Sequence, residues 1–468
     1  MIDGADFAYI SMQGEHMIHQ FKRGDWHFVL DVNSGAVHSV DAIAYALLEY
    51  WSEPKEALIA RFKATYTESD LLEAIGEIET LISEGQLFTE NTYVSSDKFL
   101  HRAPVIKALC LHVAHDCNIR CEYCFAAQGN FEGERLLMPL EVGKRALDFV
   151  VSRSGNRRQL EVDLFGGEPL MNWDVCKALV DYGKELEAQH NKVIRFTLTT
   201  NGTLLDDEKI EYINEHFHNV VLSIDGRKTV NDQMRPTING KGTYDVIVPK
   251  FQKLVDSRGK KSYYVRGTFT RYNMDFDQDV IHMADLGFKE TSVEPVVGDP
   301  NDPYTIREED LPQIFEAYDR LSREMVSRLG TEKAFRFFHF TVDFNQGPCL
   351  IKRVSGCGAG SEYLAITPEG DIYPCHQFVG NEAFKIGNIL EGTFNGDLTT
   401  DFHEAHVENK TACQNCWAKY YCSGGCHANA HNFNQNLFEP YAIGCEMEKK
   451  RIENAIYLQA ERIVKGNA

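Results

Sequence analysis

The sequence predicts an α/β protein: an open (β/α)6 partial barrel, preceded by a small unit of strands and helices and followed by a cysteine-rich segment. Three observations predict it. Apolar strand-like runs alternate with amphipathic helical stretches between residues 106 and 296. The first ninety-odd residues follow a different pattern and contain no cysteine. Cysteines crowd the stretch beyond Cys349.

A chain of 468 residues exceeds what one hydrophobic core usually serves, so two or three domains are expected. Charged residues at 25% and hydrophobic ones at 43% suit a soluble globular protein. The net charge is −21, from 48 Lys and Arg against 69 Asp and Glu, with no compensating basic stripe. That excludes a nucleic-acid role and favours a basic or neutral peptide as macromolecular partner. The chain has no basic start followed by a long apolar run, and no stretch of eighteen apolar residues, so no membrane role and a cytoplasmic location are expected. In a reducing compartment its 13 cysteines stay thiols, available to metals.

The expected first unit covers residues 1–92. Apolar-rich runs at 17–21, 26–31 and 36–39, around Gly24-Asp25 and Ser34-Gly35 turns, read as a small antiparallel sheet. Helical periodicity follows over 41–51, 55–66 and 68–84, the last capped by Thr67, and Gln86-Leu87-Phe88 is expected as a short closing strand. A three-strand meander leaves 17–21 or 36–39 as its free edge. Three strands followed by three short helices resembles the winged-helix module with which peptide-modifying systems bind a leader. The resemblance implies that an extended peptide adds to the third strand, Ala36-Val37-His38-Ser39, beside the 68–84 helix. A DNA-binding winged helix would need a Lys/Arg-rich recognition helix, which this segment lacks.

A polar, proline-terminated linker over 93–104 leads into the barrel, expected over 105–330. Strands are expected at 106–113, 160–165, 193–199, 220–224, 263–269 and 291–296. Helices between them are expected at 140–151, 174–188, 207–216, 246–256 and 277–286. Repeated strand-helix units imply a parallel sheet with right-handed crossovers, and active residues then belong at the carboxyl ends of the strands. A long helix at 308–329, an aromatic-rich bridge at 331–348, the cysteine-rich domain at 349–450 and a C-terminal helix at 451–468 complete the chain.

The loop after the first strand reads His115-Asp116-Cys117-Asn118-Ile119-Arg120-Cys121-Glu122-Tyr123-Cys124-Phe125. A loop wound through C-x3-C-x2-C turns three thiolates toward one centre, which suits three irons of a cubane cluster and leaves the fourth without a protein ligand. A structural zinc site asks for paired C-x2-C units, and a disulfide framework for an even set. Cys117, Cys121 and Cys124, with Tyr123 before the last, resemble the signature of the radical S-adenosylmethionine (SAM) enzymes, in which SAM chelates the open iron.

The next strand ends carry Phe165-Gly166-Gly167-Glu168-Pro169, Thr199-Thr200-Asn201-Gly202 and Ser223-Ile224-Asp225-Gly226. Glycines let backbone carbonyls approach a ligand, and Glu168 can hold an ammonium group. The resemblance implies that Gly166, Gly167 and Glu168 meet the amino group of SAM, and that Thr200, Asn201, Ser223 and Asp225 line its ribose and methionyl part. It also places Arg235 at the carboxylate and Tyr123 at the adenine, where the alternative for Tyr123 is plain core. Asp116 and Glu122 are expected to serve loop structure or solvation.

Downstream, Cys357, Gly370 and Cys375 precede Cys413-x2-Cys416-x5-Cys422-x3-Cys426 and then Cys445. This order resembles the SPASM extension of radical SAM maturases, with all seven cysteines present. Two cubanes would take eight ligands. By resemblance, Cys413, Cys416, Cys422 and Cys445 complete one auxiliary cluster, and Cys357, Cys375 and Cys426 lie on the other. Cys349 supplies the fourth ligand there, or the site stays open for a substrate sulfur.

Cys110, in a strand, and Cys176, in a helix, are expected to be buried apolar thiols. His403-Glu404-Ala405-His406 lacks the zinc-protease spacing and reads as a solvated helix face. His427 and His431 either hydrogen-bond cluster sulfurs or lie at the surface.

Together these segments resemble the thioether-forming peptide maturases of sactipeptide and ranthipeptide type, most of all those acting on SCIFF peptides. The resemblance implies SAM, three 4Fe-4S clusters, a cysteine-rich precursor peptide held by its leader, and an electron donor such as a flavodoxin or ferredoxin. It implies that cleaved SAM yields a 5'-deoxyadenosyl radical that removes hydrogen from a carbon of the acceptor, threonine or aspartate. Joining a cysteine thiol to that carbon removes two hydrogens in all, so an auxiliary cluster takes the remaining electron. No residue marks itself as the catalytic base. The alternatives are an anaerobic sulfatase-type maturase oxidising a Cys or Ser of a protein, and a non-catalytic iron-sulfur electron carrier or peptide-binding scaffold.

Overall fold

The computed structural model describes residues 9–13, 16–91, 105–299, 301–342 and 350–466. The expected linker at 93–104 and Cys349 lie outside them.

The first unit is a four-stranded antiparallel sheet in the order β1 (Tyr9–Gln13), β2 (His16–Arg23), β3 (Trp26–Asp31) and β4 (Val37–Val40). The sequence reading expects three strands. The additional β1 pairs along β2, with Tyr9 opposite Gln20, and covers that edge. This leaves β4 as the outer strand at the other side.

Side-chain alternation gives the sheet two apolar faces. Ile18 and Val29 pack under the helices with Leu47, Leu71, Ile75 and Ile78, whereas Met17, Phe21, Phe28 and Leu30 pack against Val407, Trp417, Ile452 and Ile456 of the C-terminal part. Helices Ala42–Glu49, Lys55–Phe62 and Glu68–Ser83 follow. Asp41 and Thr67 cap the first and third by accepting backbone N–H groups at 2.7 and 3.2 Å. Residues 86–88 are not the expected strand. Phe88 turns into positive φ (52°), and Leu87 and Phe88 plug the helical core instead.

The six expected parallel strands form in chain order: β5 (Ala108–Ala114), β6 (Gln159–Gly166), β7 (Val193–Thr200), β8 (Asn219–Ser223), β9 (Tyr264–Phe269) and β10 (Glu290–Pro295). Between them run helices Leu140–Arg153, Trp173–His190, Asp207–His216, Tyr244–Arg258 and Phe276–Asp285. Leu160, Val162 and Leu164, Ile194, Phe196 and Leu198, and Val220 and Leu222 enter one core with the helices. The alternate positions, among them Asp163, Thr199 and Arg266, therefore point to the other face.

The sheet reaches further than expected. The aromatic bridge contributes β11 (Arg336–Phe337), parallel to β10. At the opposite side, β12 (Tyr363–Ile366) pairs in parallel with β5, and β13 (Asp371–Tyr373), β14 (Gly387–Asn388) and β15 (Thr393–Phe394) continue it antiparallel. The cysteine-rich segment is thus hydrogen-bonded to the first barrel strand within one eleven-stranded sheet.

The final helix, Ala442–Val464, starts before the expected boundary at 450/451 and carries Cys445. It packs on helix Leu311–Arg328, where Arg451 Nε donates to the Tyr318 hydroxyl (2.8 Å) and Asn454 accepts from Ser322 (2.6 Å). It also meets the first sheet, where Trp26 Nε1 donates to Glu461 (2.9 Å). Among the described residues no helix is long and apolar enough to cross a membrane.

Candidate active site

The loop after β5 is held by the 234–236 segment and by its own arginine. Arg120 N donates to the Pro236 carbonyl (2.7 Å) and Glu122 N to that of Met234 (3.0 Å), while the Arg120 guanidinium donates to the carbonyls of Cys117 (2.7 Å) and Ile119 (2.9 Å). Asp116 accepts the Cys117 N–H (2.9 Å) and pairs with Arg135, so it serves loop structure as expected; Glu122 is exposed.

The result is a trio of thiols. Burial pushes Cys117 up to about 11 and Cys121 up to about 12, and Cys124 adds to both. Crowded, desolvated thiols of this kind are ready to ionise on a metal centre, which supplies the missing positive charge.

Gly166 and Gly167 also leave room for this loop. A Cβ on Gly166 (φ 126°) would lie 2.2 Å from the Ala114 carbonyl oxygen, and one on Gly167 2.1 Å from that of Asp116. The N–H groups of Gly167 and Glu168 donate to those same oxygens at 2.7 and 2.8 Å. The space a side chain would need is filled by the cysteine loop's backbone.

Two buried polar groups flank the trio. In the first, the Glu168 carboxylate accepts from Leu170 N (3.0 Å), Thr200 Oγ1 (2.7 Å) and Asn201 N (2.7 Å). Burial raises it to about 7. A carboxylate has about four acceptor positions, so one stays free for a cation. Asn201 Nδ2 reaches Asn118 (2.9 Å) and the Cys117 sulfur (3.7 Å). In the second group the Tyr123 hydroxyl meets both Asp225 carboxylate oxygens (2.7 and 2.8 Å), and Arg235 Nη1 donates to that hydroxyl at 2.9 Å. Asp225 also accepts Thr268 N at 3.0 Å. Ser223 sits half-buried at the end of β8. A carboxylate for an ammonium, a buried guanidinium for a carboxylate and a tyrosine ring beside three thiols are donors that fit SAM on a cluster.

The downstream cysteines fall into two sets. Each pair among Cys413, Cys416, Cys422 and Cys445 lies close enough for the thiols to feel one another's charge, and so does each pair among Cys357, Cys375 and Cys426. Among the described residues no three His, Cys, Asp or Glu side chains converge tightly enough for a single metal ion. A cubane takes each thiolate on a different iron, so its ligands stand further apart than those of a single ion, and thiols are the ligands it takes.

The trio of Cys357, Cys375 and Cys426 adjoins the first strand of the parallel sheet, because Cys375 and Cys110 of β5 belong to one buried cluster. Cys110 and Cys176 are fully buried, as expected.

The histidines behave differently from the expectation. Helix Gly396–Glu404 ends before His406, which is buried as the chain turns inward and Val407 N bonds to the Val354 carbonyl. His427 is buried with Nε2 on the Ala405 carbonyl oxygen (3.0 Å), and His431 packs against the rings of Phe378 and Phe384. The sequence alone does not single out Asn118, Thr268 or Thr203, whose Oγ1 accepts from Asn118 Nδ2 (2.7 Å). Asn118, between two of the cysteines, was detectable from its place in the motif; Thr268 was not, since its backbone N–H is what binds.

The radical SAM superfamily matches residues 111–286, and SPASM, an iron-sulfur cluster-binding domain, matches 357–417. The chain is 27% identical over 374 residues to a cysteine-type anaerobic sulfatase-maturating enzyme of Clostridium novyi, covering 73% of this chain and 92% of that enzyme. It is 22% identical over 456 residues to the radical SAM cyclopropyl synthase TigE of Paramaledivibacter caminithermalis, covering 90% of each. In fold it is similar to Streptococcus suis SuiB bound to its precursor peptide SuiA, at 16% identity and a TM-score of 0.55, over 93% of this chain and 100% of that one.

Proposed function

We infer that this chain, with a radical SAM domain and a SPASM domain in series, is a maturase that installs cysteine-to-carbon thioether crosslinks in a ribosomally made, cysteine-rich peptide. The observation that carries the reading is the thiol trio of Cys357, Cys375 and Cys426 against the first barrel strand. A cubane there takes a fourth ligand, from Cys349 or from a substrate sulfur, and a substrate sulfur in that place would be fixed beside the reacting carbon.

When bound, SAM on the first of three 4Fe-4S clusters supplies a radical able to take hydrogen from a carbon. The chain's own residues position that chemistry. Gly166, Gly167 and Glu168 would meet the SAM ammonium, Arg235 would meet its carboxylate, and Thr200, Asn201, Ser223, Asp225 and Tyr123 would line the remainder. Cys413, Cys416, Cys422 and Cys445 close the second auxiliary site. The outer strand β4 takes the peptide leader by strand addition, which raises the local concentration of the core peptide at the barrel mouth. A flavodoxin- or ferredoxin-like protein supplies electrons.

The likeness to the Clostridium enzyme favours a second reading, oxidation of a Cys or Ser in a protein. The test common to both is reductive cleavage of SAM. Reduced wild-type protein is expected to release 5'-deoxyadenosine, and Cys117→Ala protein is not. Equal release by the two, or none by wild type, contradicts the reading.

A further inference from the structure

Lys410 is fully buried, 0% exposed, just ahead of Cys413. Its Nζ donates to the Gly424 carbonyl oxygen at 2.7 Å, in the Ser423-Gly424-Gly425 turn that separates Cys422 of the quartet from Cys426 of the trio. An ammonium has three donors. Among the described residues it meets that one acceptor, and no carboxylate stands within ion-pair distance.

A dehydrated cation so placed is strongly destabilising unless negative charge lies beside it. Burial pushes the Lys410 ammonium down, and what pushes it back are the thiols of Cys413, Cys422 and Cys445 of the quartet and Cys426 of the trio. The lysine thus stands in the field of both sets at once. Loaded with thiolate-ligated iron and sulfide, both sets are anionic.

We propose that Lys410 is the shared counter-charge of two auxiliary iron-sulfur clusters: it pins the turn between Cys422 and Cys426 and raises the reduction potential of both. The inference rests on reading those thiol sets as cluster sites. An electron added to either cluster adds one negative charge. A fixed positive charge in a medium of low dielectric lowers the energy of that reduced form, and net charge and hydrogen bonding are among the factors that set cluster potentials. Lys410 is a positioning residue that acts through the clusters.

The test is a redox titration followed by electron paramagnetic resonance, in protein whose first cluster has been removed by Cys117→Ala, Cys121→Ala and Cys124→Ala. Lys410→Met is expected to load the same auxiliary iron and to shift both auxiliary signals to lower potential. At a fixed potential the reduced-to-oxidised ratio falls at least about tenfold, ~59 mV for one electron. Full iron with unchanged or higher potentials overturns the proposal. Should Lys410→Met lose iron, Lys410→Arg is expected to restore both iron and potential, and failure of Lys410→Arg to restore them overturns it too. Protein with Lys410 intact that holds no auxiliary iron would overturn both this inference and the reading beneath it, before any Lys410 variant is measured.

Discussion

Glu168 uses three of its acceptor positions on the protein in a site closed to water, where burial raises its carboxyl to about 7 and a bound cation would favour the charged form. Glu168→Gln retains the shape and removes the charge. A charge-assisted hydrogen bond contributes roughly 1.5–3 kcal/mol, so SAM affinity is expected to fall about 10- to 150-fold by equilibrium dialysis, with iron content unchanged. An unaltered affinity would remove Glu168 from the SAM site. Asp163 offers a pH test. Burial pushes its carboxyl from 3.8 up to about 7, against the Thr199 hydroxyl that donates to it and the Arg266 charge; the Cys110 thiol also faces it. The folded state therefore holds a proton that the unfolded chain releases between those two values. Stability falls as pH rises through this window, by at most about 1.4 kcal/mol per pH unit. In Asp163→Asn protein that contribution is expected to vanish, so the drop in denaturation midpoint from pH 5 to pH 8 shrinks relative to wild type. An identical drop in both proteins contradicts the assignment. The cysteines and the Glu168 position are legible in the sequence because their spacing is itself the geometry. Lys410 is not: a single lysine carries no period, and only the fold shows it buried between two cysteine sets.

At the scale of elements, the six barrel strands were readable because each alternates an apolar face under helices with a mixed face inside, and helix Asp207–His216 falls on its expected bounds. What was not readable depends on partners far along the chain. Strand β12 is four residues long and owes its existence to β5, with Tyr363 opposite Ala108. Residues 86–88 present the same apolar triplet to a sequence reading whether they pair as a strand or plug a core. The Tyr9–Gln13 strand adds to β2 and becomes one outer strand of the sheet; β4 is the other, the edge that the peptide reading requires. A substrate peptide without its leader is expected to lose at least about tenfold in kcat/KM, since the reaction then forfeits the effective concentration that tethering provides. Undiminished turnover would count against β4 as the docking edge.

Across the whole molecule, the first sheet, the barrel and the cysteine-rich segment are fastened together by the Ala442–Val464 helix. Arg451 and Asn454 engage the barrel's last long helix, Glu461 engages Trp26, and Cys445 joins the quartet. The face of the first sheet that does not carry its own helices packs on Trp417, next to Cys416, so the proposed leader site and one auxiliary site share a single apolar core. The proposed peptide and SAM sites and the auxiliary thiols thus belong to one continuous scaffold. The measurement that tests the account most directly is mass spectrometry of a cysteine-rich precursor peptide after incubation with the reduced, iron-loaded protein and SAM. Thioether formation gives a product lighter by two hydrogens per crosslink, with the cysteine sulfur bonded to an acceptor carbon in fragment spectra. An unchanged peptide, or a product bearing an aldehyde in place of the thiol, would contradict it.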